Sequence, residues 1–288
     1  MKTQTFKNLP SAYTLHYHLV CQTKFNRKVF QDQSVLRVLN DGLSQVCERK
    51  KYHLIGSHTE PDKLYTLMSL RPDHDIAKMT NAIKANTARS LNHEFPELAA
   101  SLKDRSLWAI GYFVRSIGKA SRPAAQSYID NQAIHHGVRS KRVAEIMRWV
   151  NPQTCTLRAT HADFDLSYHV VIVSARRAEV FDAEIAPRLF SRIAAYASSE
   201  GFYLERASLQ ADHLHILLKT TPTIGISTCV EGLMNDSLAF MNERYWGVLK
   251  ATNAPELWTP SYCVGTVGDR TTAQIKGFLG QPLGLSRP

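Results

Sequence analysis

The chain has 288 residues, 44% of them hydrophobic and 21% charged, an ordinary composition for a soluble protein long enough to form two compact domains. No apolar run approaches the roughly 20 residues that span a bilayer, no signal-peptide core follows Met1-Lys2-Thr3-Gln4-Thr5, and the five cysteines (21, 47, 155, 229, 263) are scattered and never form a Cys-x-x-Cys. These features exclude a transmembrane helix and a zinc ribbon and predict reduced thiols in a cytoplasmic protein. The formal net charge of +10 is unevenly placed: residues 1–150 carry 23 Lys+Arg against 12 Asp+Glu, and residues 151–288 carry 12 against 13. A basic half joined to a neutral half points to a polyanionic partner such as nucleic acid.

In chain order, Tyr13–Thr23 alternates like a strand, and Ser34–Lys51 has helical spacing through Val35, Leu39, Leu43 and Val46. His53–Thr59 and Leu64–Leu70 read as two strands joined by a turn at Glu60-Pro61-Asp62. Asp73–His93 is a second amphipathic helix with Asp73 or Asp75 as N-cap, and Leu107–Ser116 a fourth strand. Ser121–His136 closes the first half as a helix capped by Ser121, with Pro123 in its first turn and Gly137 as its stop. Residues 137–163 form a basic linker holding Arg139–Arg148, which could be helical, ahead of Asn151-Pro152. The second half repeats the order: strand 166–174, helix 182–200, strands 202–209 and 213–219, helix 224–245, strand 257–267, helix 271–280. Such an order suggests, twice over, an α+β domain with an antiparallel four-stranded sheet and helices mainly on one face.

The repetition extends to residues. Tyr17-His18-Leu19-Val20 lies over Tyr168-His169-Val170-Val171 at an offset of 151; Leu107-Trp108 lies over Leu257-Trp258 and Tyr112-Phe113-Val114 over Tyr262-Cys263-Val264 at 150. At that offset His213 and His215 fall on Lys63 and Tyr65, while Tyr128 falls on Phe278 and Gln132 on Pro282. Each half lacks what the other keeps, which suggests one active site shared between two halves. His18 and His169 recur in both halves, as do Trp108 and Trp258, and all four read as structural.

His213 and His215 sit two apart on a predicted strand, so both imidazoles leave one face and could serve as adjacent ligands of a divalent ion. Tyr128 lies on the last helix of the first half with Gln132 one turn later on the same face. A tyrosine hydroxyl can attack a phosphodiester and conserve the bond as a phosphotyrosine, given cationic help on the phosphate oxygens. Lys24, Arg27, Lys28, Arg115, Lys119 and Arg122 lie near the opening strand or the tyrosine helix and are candidate phosphate contacts.

These segments together resemble the single-tyrosine HUH transposases of bacterial insertion sequences, including the REP-associated tyrosine transposases. The resemblance is carried by Thr23-Lys24-Phe25-Asn26-Arg27-Lys28-Val29, Ala211-Asp212-His213-Leu214-His215, Leu107-Trp108-Ala109-Ile110-Gly111-Tyr112-Phe113-Val114 and Tyr128-Ile129-Asp130-Asn131-Gln132. It covers nearly all of the chain, once per half, and is strongest over 107–132.

The resemblance implies two tandem ferredoxin-like HUH domains, 1–136 and 164–288, arranged as an intrachain pseudo-dimer. It implies Mg²⁺ or Mn²⁺ held by His213, His215 and Gln132, with Tyr128 as nucleophile. The implied substrate is single-stranded DNA with hairpin ends, cut to a 5′-phosphotyrosyl link and a free 3′-OH. Further self-association and a nucleoid location are compatible with it. Since Lys63, Tyr65, Phe278 and Pro282 disable the alternative site, the expectation is one composite site formed by exchange of the tyrosine helix between halves. Two other readings stay open at this point: a domesticated, non-catalytic hairpin-binding protein, and a replication or transfer initiator nickase.

Overall fold

A computed structural model describes residues 5–102, 106–118, 122–130 and 145–270. The elements follow in chain order as β1 (Ser11–Thr14), β2 (His16–Gln22), α1 (Gln33–Lys50), β3 (His53–Glu60), β4 (Lys63–Ser69), α2 (Ile76–Glu94) and α3 (Pro96–Ser101). Then come β5 (Tyr112–Ile117), α4 (Arg122–Asp130), β6 (Glu145–Val150), β7 (Ala162–Asp165), β8 (Ser167–Ser174) and α5 (Ile185–Ser199). The chain continues through β9 (Tyr203–Gln210), β10 (His213–Lys219), α6 (Ile226–Arg244), α7 (Trp246–Ala251) and β11 (Trp258–Val267). The fold is α+β with two sheets.

One sheet runs β3-β4-β2-β5-β7 and the other β6-β9-β10-β8-β11-β1. In the first, β3-β4-β2-β5 pair antiparallel, in the second β6-β9-β10-β8-β11 do, and each sheet gains one parallel strand at its end. β1 pairs with β11 through Ser11↔Tyr262, and β7 pairs with β5 through Tyr112↔Ala162. The single opening strand expected at 13–23 is therefore broken. Leu15 is wholly buried at the break between β1 and β2, and Leu166 is buried between β7 and β8. At each break the chain leaves one sheet and enters the other, which also covers an edge that would otherwise present open backbone groups.

Local chemistry accounts for the main helices. Val35, Leu39, Leu43 and Val46 of α1 are buried, and Asp32 caps the helix by accepting from the Ser34 amide at 2.7 Å. Asp75 caps α2 by accepting from Lys78 N, whereas Asp73 pairs with Arg71. The short helices α3 and α7 and the strand β7 carry too little periodicity for sequence patterning to detect. Glu145–Val150 is a strand, not the helix its composition suggested; it completes the edge beside β9, so the linker region contributes strands to both sheets.

One hydrophobic core runs through both halves. At its centre the equivalent residues Tyr17 and Tyr168 meet hydroxyl to hydroxyl at 3.2 Å. Burial holds both phenols above their ordinary range, Tyr168 at about 12. The join is reciprocal: Ser116 Oγ donates to Val267 O at 2.5 Å, and Thr266 Oγ1 donates to Ile117 O at 2.6 Å. Gly268 is required here, since a Cβ would lie 2.1 Å from the Ser116 carbonyl oxygen. Trp108 and Trp258 are core residues, donating to Thr87 and Ser237 at equivalent places.

Candidate active site

The sequence His213-Leu214-His215-Ile216-Leu217-Leu218 is buried at every position, unlike a strand with one solvated face. β10 is central in its sheet. Its Leu214, Ile216 and Leu218 belong to the main core, while Leu217 joins a separate cluster with Ala125, Ile129 and Val267. Residues 213, 215 and 217 share one face by strand alternation. Helix α4, carried by the first half, thus packs on the histidine-bearing face of the second half's sheet.

Polar contacts fix α4 there. Arg122 Nη2 donates to Asp165 Oδ2 at 2.5 Å and to Ser167 Oγ at 3.2 Å, and the Arg122 amide donates to Gly268 O. One turn on, Gln126 Nε2 donates to Glu205 Oε1 at 2.7 Å. Every one of these partners lies beyond residue 160. Tyr128 sits on this helix; its side chain lies outside the described residues, as do Gln132, Lys119, Ser121 and the 271–280 segment.

The two imidazoles lie at the start of β10, where the preceding turn is pinned by Ser174 N→Asp212 O at 2.8 Å and Val180 N→Ala211 O at 2.9 Å. Their ring centroids are 5.0 Å apart at 72°. His213 Nδ1 is 2.5 Å from Asp212 Oδ1, and Arg177 Nη1 donates to the other oxygen of that buried carboxylate at 3.2 Å. His215 Nδ1 is 3.1 Å from His169 Nε2, with the rings stacked at 5.3 Å. Burial pushes the His169 pKa down to about 4, so that ring is neutral at physiological pH. In both rings Nδ1 is engaged, which leaves Nε2 as the nitrogen that could hold a metal, the way ligating histidines are oriented by a partner on their other ring nitrogen. Across the sheet Ser208 faces His215, and the buried Gln210 donates to it at 2.9 Å. Among the described residues no group of three His, Cys, Asp or Glu side chains is placed to hold a metal ion.

Equivalent positions in the first half are differently filled. Lys63 Nζ is 3.1 Å from Glu60 Oε2 and 3.9 Å from Asp62 Oδ1. Tyr65 stacks on His18 with centroids 6.0 Å apart, and burial, with a hydrogen bond to Glu60, lifts its phenol to about 12. A cavity of about 330 Å³ beside them is lined by His18, Tyr65, Phe113, Arg115 and Arg270.

Of the predicted phosphate contacts, Lys28 and Arg115 are exposed on the first half, and Lys24 and Arg27 flank the ring of Phe25. Arg122 is engaged in anchoring α4. Sequence reasoning missed His169 as a partner of the histidine pair. Its signal was present: it lies on the strand next to β10 with the parity that puts it diagonal to His215.

The family model described as "Transposase IS200 like" matches residues 11–132 and again 162–281. The chain belongs to the IS200-like transposase family, and it is an enzyme of that class. It is 30% identical over 116 residues to the ISDra2 transposase TnpA of Deinococcus radiodurans, a match covering 40% of this chain and 83% of that one. It is 25% identical over 122 residues to the transposase for insertion sequence element IS200 of Salmonella typhimurium, covering 42% and 79%. Among solved structures it is similar to a REP-associated tyrosine transposase bound to a REP hairpin, at 15% identity and a TM-score of 0.29, covering 43% of this chain and 68% of that one. Among the described residues no helix is long and apolar enough to cross a membrane.

Proposed function

We propose that the chain cleaves and rejoins single-stranded DNA through a 5′-phosphotyrosine intermediate, at one composite site drawn from both halves. The observation that carries this reading is the seating of α4, and with it the backbone of Tyr128, on the face of β10 that bears His213 and His215. Tyr128 supplies the attacking oxygen; the Tyr O–P bond forms, the P–O3′ bond breaks, and the 3′-oxygen leaves as a hydroxyl. Attack on the phosphotyrosine by a DNA 3′-OH reverses the step and transfers the strand. His213 and His215, with Gln132 as third ligand, would hold Mg²⁺ or Mn²⁺, which withdraws charge from the phosphate oxygens. Asp212 and His169 hold the two rings in the coordinating orientation. The sheet orders β3-β4-β2-β5 and β9-β10-β8-β11 support reading each half as a ferredoxin-like HUH domain, and the reciprocal edge strands support an intrachain pseudo-dimer. Hairpin ends are the proposed targets.

The test uses hairpin-bearing single-stranded oligonucleotides with Mn²⁺ and a denaturing gel. The wild type should form a covalent protein–DNA adduct, and Tyr128→Phe and His213→Ala should each lose it. Tight hairpin binding with no adduct in the wild type would instead establish a non-catalytic binder.

A further inference from the structure

The turn after β2 is built twice and used differently. In the first half Phe25 and Asn26 adopt left-handed backbone (φ 59° and 54°); in the second, Arg176 and Arg177 do the same (58° and 53°). The turn itself is therefore a property of the duplicated fold, locked in the first half by Thr23 Oγ1→Arg27 O at 2.8 Å and Asn26 N→Thr23 O at 3.2 Å. What differs is the side chain at its tip. Arg176 folds back onto its own half, donating to the Asn253 carbonyl and to both oxygens of Glu256. Phe25 projects outward and is 72% exposed.

A bulky aromatic residue in left-handed backbone is uncommon and strained. Its surroundings say what would cover it. Lys24 Nζ lies 5.3 Å and the Arg27 guanidinium 5.1 Å from the ring centroid, so the ring stands in a cationic frame on the more basic half. An acidic or apolar protein surface would satisfy only one of these two features. A nucleotide in a single strand satisfies both, with a base whose π-face stacks on the ring and a phosphate on each side. The neighbouring loop is equally fixed. Lys24 N donates to Leu107 O and Ala109 N to Gln22 O, and the buried Lys84 ammonium donates to the carbonyls of Ala109, Ile110 and Gly111 at 2.7–3.0 Å. That clamp holds a second 72%-exposed apolar side chain, Ile110, on the adjacent loop.

We infer that Phe25, framed by Lys24 and Arg27, is a stacking platform for an unpaired base of single-stranded DNA, apart from the histidine pair and independent of metal. The inference rests on the reading that this chain handles single-stranded DNA. Rigid turns on both sides mean little ordering is needed on binding, which favours affinity.

The experiment measures fluorescence anisotropy of a labelled, unstructured 20-nucleotide DNA strand in EDTA, where cleavage cannot intervene, over a series of salt concentrations. Phe25→Ala should weaken binding about ten-fold while leaving the slope of log K against log salt unchanged, and Phe25→Trp should bind as the wild type does. Lys24→Ala and Arg27→Ala should each lower that slope by about one. Because Phe25 is exposed, none of its variants threatens the fold. Equal affinity of Phe25→Ala and wild type would overturn the platform and leave the proposed chemistry standing. Failure of the wild type to bind any single strand, with or without Mn²⁺, would overturn the parent reading as well.

Discussion

His213 and His215 in one half correspond to Lys63 and Tyr65 in the other, and their neighbours have changed roles with them. Asp212 orients His213 and is tied to Arg177, whereas its counterpart Asp62 accepts from Gln22 Nε2 at 3.1 Å and faces the Lys63 ammonium. His169 hydrogen-bonds His215; its counterpart His18 stacks on Tyr65, and its buried Nε2 has no hydrogen-bond partner among the described residues. The difference shows that a histidine pair is one part of a hydrogen-bonded set. When the pair is lost, the same carboxylate and imidazole positions persist on the same strands but hold an ion pair and an aromatic stack. Only the half that retains the set receives α4 among the described residues.

Removal of a supporting residue should separate the two halves most. His169→Phe keeps the ring volume but deletes the nitrogen that orients His215, and such supporting partners are worth about 10–100-fold in metal affinity or activity. Mn²⁺ affinity and adduct formation should fall together by that amount, and excess Mn²⁺ should recover part of the loss. His18→Phe in the other half should change neither. Equal losses in both variants would dissolve the distinction between the halves.

His169 also predicts a pH signature. Burial lowers its folded pKa to about 4 from about 6.5 in the unfolded chain. Between those values the unfolded state binds the extra proton, so stability is full above pH 6.5 and declines as pH falls toward 4, by at most about 3 kcal/mol. Urea denaturation midpoints between pH 7 and 4.5 should show this slope in the wild type and a shallower one in His169→Phe. A slope unchanged by the substitution would mean that the imidazole is charged in the fold or titrates normally.

Arg122 tests the seating of the helix. Its removal strips Asp165 of a partner in a half-buried setting and loosens α4 from Ser167, at a cost of about 1–3 kcal/mol. Arg122→Ala should lower thermal stability and reduce adduct formation while leaving Mn²⁺ affinity nearly intact, because the histidines sit on β10. Loss of metal binding would show that the helix and the histidines are not separable.

Much of this was legible in the sequence, for identifiable reasons. The long helices announce themselves by their 3.6-residue spacing, and duplication made each half a check on the other: Trp108 and Trp258, Tyr17 and Tyr168 fall at the same depth because they do the same packing. The placement of α4 on the second half was readable only as a pattern of losses. The crossover strands were not readable at all. Nothing in Ser11–Thr14 or Ala162–Asp165 distinguishes a four-residue strand pairing with its own half from one pairing with the other; the choice is made at Leu15 and Leu166, where a buried leucine turns the chain. His169 reads as structural because it recurs, yet recurrence of a residue and of its role are different matters. Arg122 shows the limit of counting charge, since the same guanidinium that suits a phosphate suits Asp165.

The smallest expected change comes from restoring the lost pair. Lys63→His with Tyr65→His places two imidazoles on β4 beside His18 and Asp62, the counterparts of the groups that support His215 and His213. Removing the Lys63 ammonium also takes away the positive charge that opposes a cation there, while Glu60 and Asp62 remain to favour one. The variant should therefore bind additional Mn²⁺, measured by titration calorimetry against the wild type. Yet the position equivalent to Tyr128 is Phe278, which has no hydroxyl to attack phosphorus. Adduct yield should stay at one oligonucleotide per chain and remain wholly dependent on Tyr128. A second oligonucleotide per chain would show that a nucleophile other than a tyrosine-helix residue serves the first half, and the division of labour between the halves would have to be redrawn.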